Sequence, residues 1–178
     1  MNRFISKVTI IVICLVFAAL PIVNMCATAS RAALINTKEF LLNFNLYAAT
    51  TNLGHTLSLD NAEISRFSDQ TLLKTVFNGC EVLALNLTPD TTQVLSIRCT
   101  WSTLAPGSSK YSDDFACLLM ETLCACGLDT SSISDVFLKI GFLDACEVGD
   151  KGDVTIKGIR VSYEVTSSVG VSFLIEKT

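Results

Sequence analysis

The stretch TLLKTVFNGCEVLALNLTPDTTQVLSIRCTW, Thr71 to Trp101, decides the fold. It consists of three apolar runs separated by two turn signals. Asn78-Gly79 tolerates positive φ at both centres of a two-residue type I′ turn, so Thr71 to Phe77 and Cys80 to Leu87 read as a hairpin. A short helix competes, because Leu72, Leu73, Val76 and Phe77 also fit a 3.6-residue period with Gly79 as its C′ residue. Thr88-Pro89-Asp90-Thr91 is a second turn with proline where its fixed φ suits, and a strand from Gln93 to Trp101 follows. The expected unit is a three-stranded antiparallel meander.

The register of its second hairpin stays open. One alignment sets Cys80 opposite Cys99, Val82 opposite Ile97 and Glu81 opposite Arg98, pairing thiol with thiol and charge with charge. The alternative sets Leu83 opposite Ile97, Leu85 opposite Leu95 and Glu81 opposite Cys99. Both bring apolar groups together, and a one-residue slip exchanges the two faces of the sheet. A Cys80–Cys99 disulfide follows only from the first.

On the N-terminal side, Asn36 with Glu39 three residues later forms a capping box. Phe40, Phe44, Tyr47 and Ala48 follow on one helical face, and Gly54 ends the helix. His55 to Phe67 turns toward alternation and reads as a strand or strand pair. On the C-terminal side, Ser112 caps a helix that buries Phe115, Leu118, Leu119 and Leu123 and stops at Gly127. A third helix starts near Ser132, with Asp135 completing a capping box, and buries Ile133, Val136, Phe137 and Ile140. Val154 to Val165 and Val169 to Ile175 read as two long strands joined at Ser167-Ser168.

This order lacks the strand-helix alternation of a parallel sheet, so the fold class is α+β. The expected architecture is an antiparallel sheet of about five strands, a central meander plus a C-terminal hairpin, with the N-terminal helix and the central helix pair on one face. The two halves of the sheet must meet in space, since a two-stranded ribbon is marginal alone.

Residues 1–29 read as a targeting segment. Arg3 and Lys7 precede an apolar run from Val8 to Val23, and Ala27-Thr28-Ala29 supplies a small-x-small cleavage site. The run is short of the roughly 20 residues that a membrane helix needs. Export with cleavage after Ala29 is the leading expectation; an uncleaved anchor and lipidation at Cys26 are the alternatives. Residues 30–178 then form a single domain. The chain as a whole has 178 residues, 50% of them hydrophobic, and the leader accounts for the excess. Losing Arg3 and Lys7 takes the formal net charge from −4 to −6. An acidic domain without a Lys/Arg cluster lacks the footprint that phosphate backbones require, so nucleic acid is excluded as an expected partner.

Few residues suggest chemistry. Six cysteines follow the leader: Cys80, Cys99, Cys117, Cys124, Cys126 and Cys146. Most sit where small buried apolar side chains belong. No Cys-x-x-Cys is present, which disfavours zinc. His55 is the only histidine, so any Ser-His-Asp or Cys-His site must use it, and it reads instead as a surface or partly packed turn residue. Asp113-Asp114 fits a helix first turn, where carboxylates meet unpaired N–H groups. Asp144, Glu147, Asp150 and Asp153 are a weak candidate Ca²⁺ set, although their spacing departs from the EF-hand pattern. Asn86-Leu87-Thr88 matches a glycosylation sequon followed by an unfavourable Pro89. No nucleotide or other cofactor motif is present. Trp101, Tyr163 and Phe173 read as core.

The expectation for function is an exported domain, secreted or held in the periplasm or cell envelope. It would act without catalysis by binding a protein or small ligand, and touch a membrane only through an uncleaved leader. A hydrolase-type enzyme with a dispersed carboxylate or Cys site and a membrane-tethered structural component are the competing classes.

Overall fold

A computed structural model describes residues 32–51, 53–78, 81–101, 113–140, 147–166 and 170–178. Along the chain run β1 (Ile35–Asn36), α1 (Thr37–Thr51), β2 (Glu63–Arg66), β3 (Thr71–Phe77), β4 (Glu81–Leu87) and β5 (Gln93–Trp101). They are followed by α2 (Asp113–Ala125), α3 (Thr130–Ile140), β6 (Lys151–Ile156), β7 (Ile159–Thr166) and β8 (Gly170–Lys177). All strands join one antiparallel sheet in the order β2-β3-β4-β5-β8-β7-β6, with β1 pairing β5 beside it. The α+β class stands, and the expected five strands become eight. The two halves of the sheet meet along β5 and β8, from Ser96 opposite Glu176 to Trp101 opposite Val171.

Leucines select the first register. A two-residue turn at Asn78-Gly79 would turn Val82, Ala84 and Asn86 toward the helices. Instead Phe77 faces Glu81 across a three-residue connection, with Asn78 at φ 49°, and Leu83, Leu85 and Leu87 point inward beside Leu73. Fully burying a leucine is worth about 1.5–3 kcal/mol, so three of them outweigh the tighter turn. The expected type I′ turn at this site is corrected accordingly. The same choice carries Glu81 into the core.

Both alignments considered for β4 and β5 are corrected as well. Leu83 faces Cys99, Leu85 faces Ile97 and Glu81 faces Trp101. Thr88 N–H donates to the Gln93 carbonyl at 2.9 Å, and the register shifts once more between Asn86 and Leu87, where a bulge adds a residue to β5. Cys99 is a free thiol. Cys80 lies outside the described residues.

The run from Val154 to Val165 is two strands. Ile156 faces Ile159, and Lys157 and Gly158 between them both take positive φ, 52° and 77°. This is the two-residue primed turn that the sequence suggested at Asn78-Gly79. The region His55 to Phe67 yields only the short edge strand β2. At the opposite edge, Gly152 faces Tyr163. A Cβ on Gly152 would stand 2.5 Å from the Ile140 carbonyl and 2.8 Å from the Tyr163 ring, so glycine lets the end of α3 approach β6.

The helices begin and end as local chemistry dictates. Asn36 Oδ1 accepts hydrogen bonds from the N–H groups of Lys38 (3.0 Å) and Glu39 (3.3 Å). Phe40, Phe44 and Ala48 of α1 enter the core, whereas Tyr47 stays exposed. The α2 face of Phe115, Leu118, Leu119 and Leu123 is fully buried. It ends in a Schellman motif: Leu128 N–H donates to the Leu123 carbonyl and Gly127 N–H to the Cys124 carbonyl, with Gly127 at φ 88°. Helix α3 starts two residues earlier than expected, because Asp129 rather than Ser132 is its cap and accepts the Ser132 N–H at 2.8 Å.

Candidate functional site

Two constellations stand out, one inside the core and one on the opposite face of the sheet. The inner one follows from the β3–β4 register, which leaves the Glu81 side chain 1% exposed. Helix α2 presents Glu121, also buried, and the segment after Gly54 brings in His55. His55 Nδ1 lies 2.7 Å from Glu121 Oε2, and its Nε2 lies 3.4 Å from Glu81 Oε2. Thr51 Oγ1 donates to Glu121 Oε1 at 2.6 Å, and Asn78 Nδ2 donates to Glu81 Oε2 at 3.2 Å. The imidazole also packs on Phe77, with ring centroids 4.9 Å apart.

Burial alone would push the His55 pKa down. The hydrogen bond and charge of Glu121, joined by those of Glu81, outweigh it and hold the pKa above its ordinary value. The result is an imidazole held between two buried glutamate side chains, hydrogen-bonded to Glu121 and in looser contact with Glu81. The expectation of a surface or partly packed histidine is therefore corrected. Each ring nitrogen serves a different glutamate, so the three side chains do not converge on a common point. Among the described residues no cluster of three His, Cys, Asp or Glu can hold a metal ion. This arrangement can store a proton and lock α1, α2 and the β3–β4 hairpin together; its own contacts are with those elements rather than with solvent.

The thiols are poor nucleophiles. Cys99 is wholly buried, donates to Thr122 Oγ1 at 3.6 Å, and burial pushes its pKa up to about 12. Burial raises Cys126 as well. Both are protonated at neutral pH, and a thiol attacks as the thiolate. Cys117 and Cys124 are in no disulfide and are half-buried; Cys146 lies outside the described residues. Of the candidate Ca²⁺ set, Asp144 also lies outside them. Asp150 Oδ2 accepts the Glu147 N–H at 2.8 Å, and Asp153 Oδ2 lies 3.3 Å from Arg160 Nε. Trp101, Tyr163 and Phe173 are core residues, as expected.

The outer constellation lies on the sheet face away from the helices. Alternation along β7 sends Val161, Tyr163 and Val165 inward and Arg160, Ser162 and Glu164 outward. Cross-strand pairing then builds rows: Lys151, Glu164 and Ser172 in one, Asp153, Ser162 and Leu174 in the next. Ser162 occupies the middle of the second row and Ser172 the β8 end of the first, with Lys151, Asp153 and Glu164 beside them. An open groove of about 530 Å³ results. Arg98 reaches its rim from β5, with Nη1 donating to Ser172 Oγ at 3.1 Å.

Sequence reasoning missed both constellations. Among the described residues no helix is long and apolar enough to cross a membrane. Compared with protein-family models, curated proteins and solved structures, this chain finds no match in any of the three.

Proposed function

We propose that this chain is an exported, non-catalytic binding protein whose working surface is the groove over β6, β7 and β8. One observation carries the reading: the outward positions of three adjacent strands combine small hydroxyl side chains with charged ones in a concavity of about 530 Å³. Ligand sites are typically concavities of roughly 300–1,000 Å³ with a few converging polar groups. The targeting segment at residues 1–29 supports a destination in the cell envelope or outside the cell. A protein start at Ser30, read by mass spectrometry, would accord with release rather than anchoring.

The test is site-specific photo-cross-linking in the native host. A photoreactive residue at Ser162 is expected to capture a ligand or partner, and the same residue at Lys38 on α1 is not. Absence of any adduct at Ser162 overturns the proposal.

A hydrolase-type enzyme with a dispersed carboxylate site is the competing reading, and the buried His55–Glu121 pair, 2.7 Å apart, is the acid-base pair it would have to use. Turnover of any substrate that Glu121→Gln abolishes, in a variant that still folds, would establish the enzyme instead.

A further inference from the structure

We infer that the groove over β6, β7 and β8 takes a neutral, polyhydroxylated ligand, an oligosaccharide chain laid across the strands; this rests on the binding role proposed above. Charge is the first argument. The lining carries Lys151 and Arg160 against Asp153 and Glu164, and just beyond it Arg98 at the rim is balanced by Glu176 beside Arg160, three charges of each sign. Arg160 is already engaged, its Nε 3.3 Å from Asp153 Oδ2 and its Nη1 3.6 Å from Glu176 Oε1. A phosphate or sulfate therefore meets no uncompensated positive field.

Hydrogen-bond chemistry is the second argument. Lys151 and Arg160 only donate, Asp153 and Glu164 only accept, and the Ser162 and Ser172 hydroxyls do either. The ligand class that meets such a mixed array everywhere is one whose own groups both donate and accept, namely a polyol. Leu174, half-buried in the same lining, offers an apolar surface to the C–H face of a sugar ring.

Spacing is the third. Neighbouring strands lie about 4.8 Å apart, close to the length of one sugar residue, so a chain crossing β6, β7 and β8 sets one ring over each strand. An extended peptide fits less well. The backbone groups of β7 and β8 are consumed by ladders on both sides, and a peptide gains its main-chain bonds at a sheet edge rather than on a face.

The experiment is an amide ¹H–¹⁵N titration of the purified protein. The probes are neutral tetrasaccharides of glucose, xylose and N-acetylglucosamine, with a sulfated heparin tetrasaccharide and a zwitterionic tetrapeptide alongside. At least one neutral sugar is expected to shift Gly152, Ser162 and Ser172 saturably. Ser162→Tyr, which fills the groove, should weaken that binding tenfold or more, as should Glu164→Ala if the bulkier variant does not fold. Lys38→Ala should leave it unchanged. A flat response to all three neutral sugars, or shifts produced only by the sulfated sugar or the peptide, overturns the ligand class. If cross-links at Ser162 persist in that case, the binding role stands and only its chemistry is wrong; if they too are absent, both fall.

Discussion

His55 and Glu121 come from segments 66 residues apart, yet their Nδ1 and Oε2 atoms meet at 2.7 Å inside the core. Glu81 closes on the other ring nitrogen at 3.4 Å. The Glu81 side chain is buried because Leu83, Leu85 and Leu87 fix the register, and the His55 ring is its neighbour there.

Glu121→Leu leaves His55 in the core with Glu81 alone and takes away one of the two acceptors of Thr51 Oγ1, the other being the Ala48 carbonyl. Removing one partner of a buried ion pair costs about 3–5 kcal/mol, and the urea midpoint should fall accordingly. A loss below about 1 kcal/mol would show the pair to be incidental, since that is the range of exposed ion pairs. In a double-mutant cycle with His55→Leu the two losses should be less than additive, because the residues share one interaction.

The raised His55 pKa makes stability pH-dependent in a definite direction. A proton held more tightly in the folded state contributes its full stabilisation below the unfolded value near 6.5. That contribution is lost as pH rises through the folded value. Urea midpoints should therefore decline from neutral toward alkaline pH. In Glu121→Gln, which removes the largest favourable influence on His55, the decline should begin at lower pH. A midpoint that rises with pH across this window contradicts the assignment.

Gly158→Val forces a β-branched residue into φ 77° in the β6–β7 turn. A left-handed conformation costs an ordinary residue roughly 1–2 kcal/mol, and a loss of that size in thermal or urea unfolding is expected. Lys157→Asn, at φ 52°, should be neutral or slightly stabilising, because asparagine tolerates this region better than lysine does.

Cys99 and Cys126 should resist alkylation in the folded protein at mildly alkaline pH, since both are buried and protonated there. Half-buried Cys117 and Cys124 should be modified before them. Peptide mapping after a short exposure to iodoacetamide reads this order, and early labelling at Cys99 would contradict it. Denaturant should expose all four at once if the core opens cooperatively.

Elements whose signals are local could be read from the sequence alone. Asn36 caps α1 through atoms two and three residues away, the α2 face repeats within one helix, and β5 keeps its expected limits from Gln93 to Trp101. The Lys157-Gly158 turn was also local, but an apolar run on either side disguised it as one long strand. Registers were different. The choice at Asn78 is made by leucines that must face α1 and α2, and the choice at Cys99 depends on a bulge between Asn86 and Leu87. Neither helix packing nor a bulge is written in the strands themselves, so two alignments with equally apolar contacts could not be separated. The His55, Glu81 and Glu121 cluster and the groove lined by Ser162 and Ser172 both follow from those registers. The sequence by itself determined the capped helices, the strand-forming runs and the α+β class, because caps and periodicities act over a few residues. Only tertiary structure decided which side chains face inward, and thereby which charges meet in the core and which form a surface that can bind.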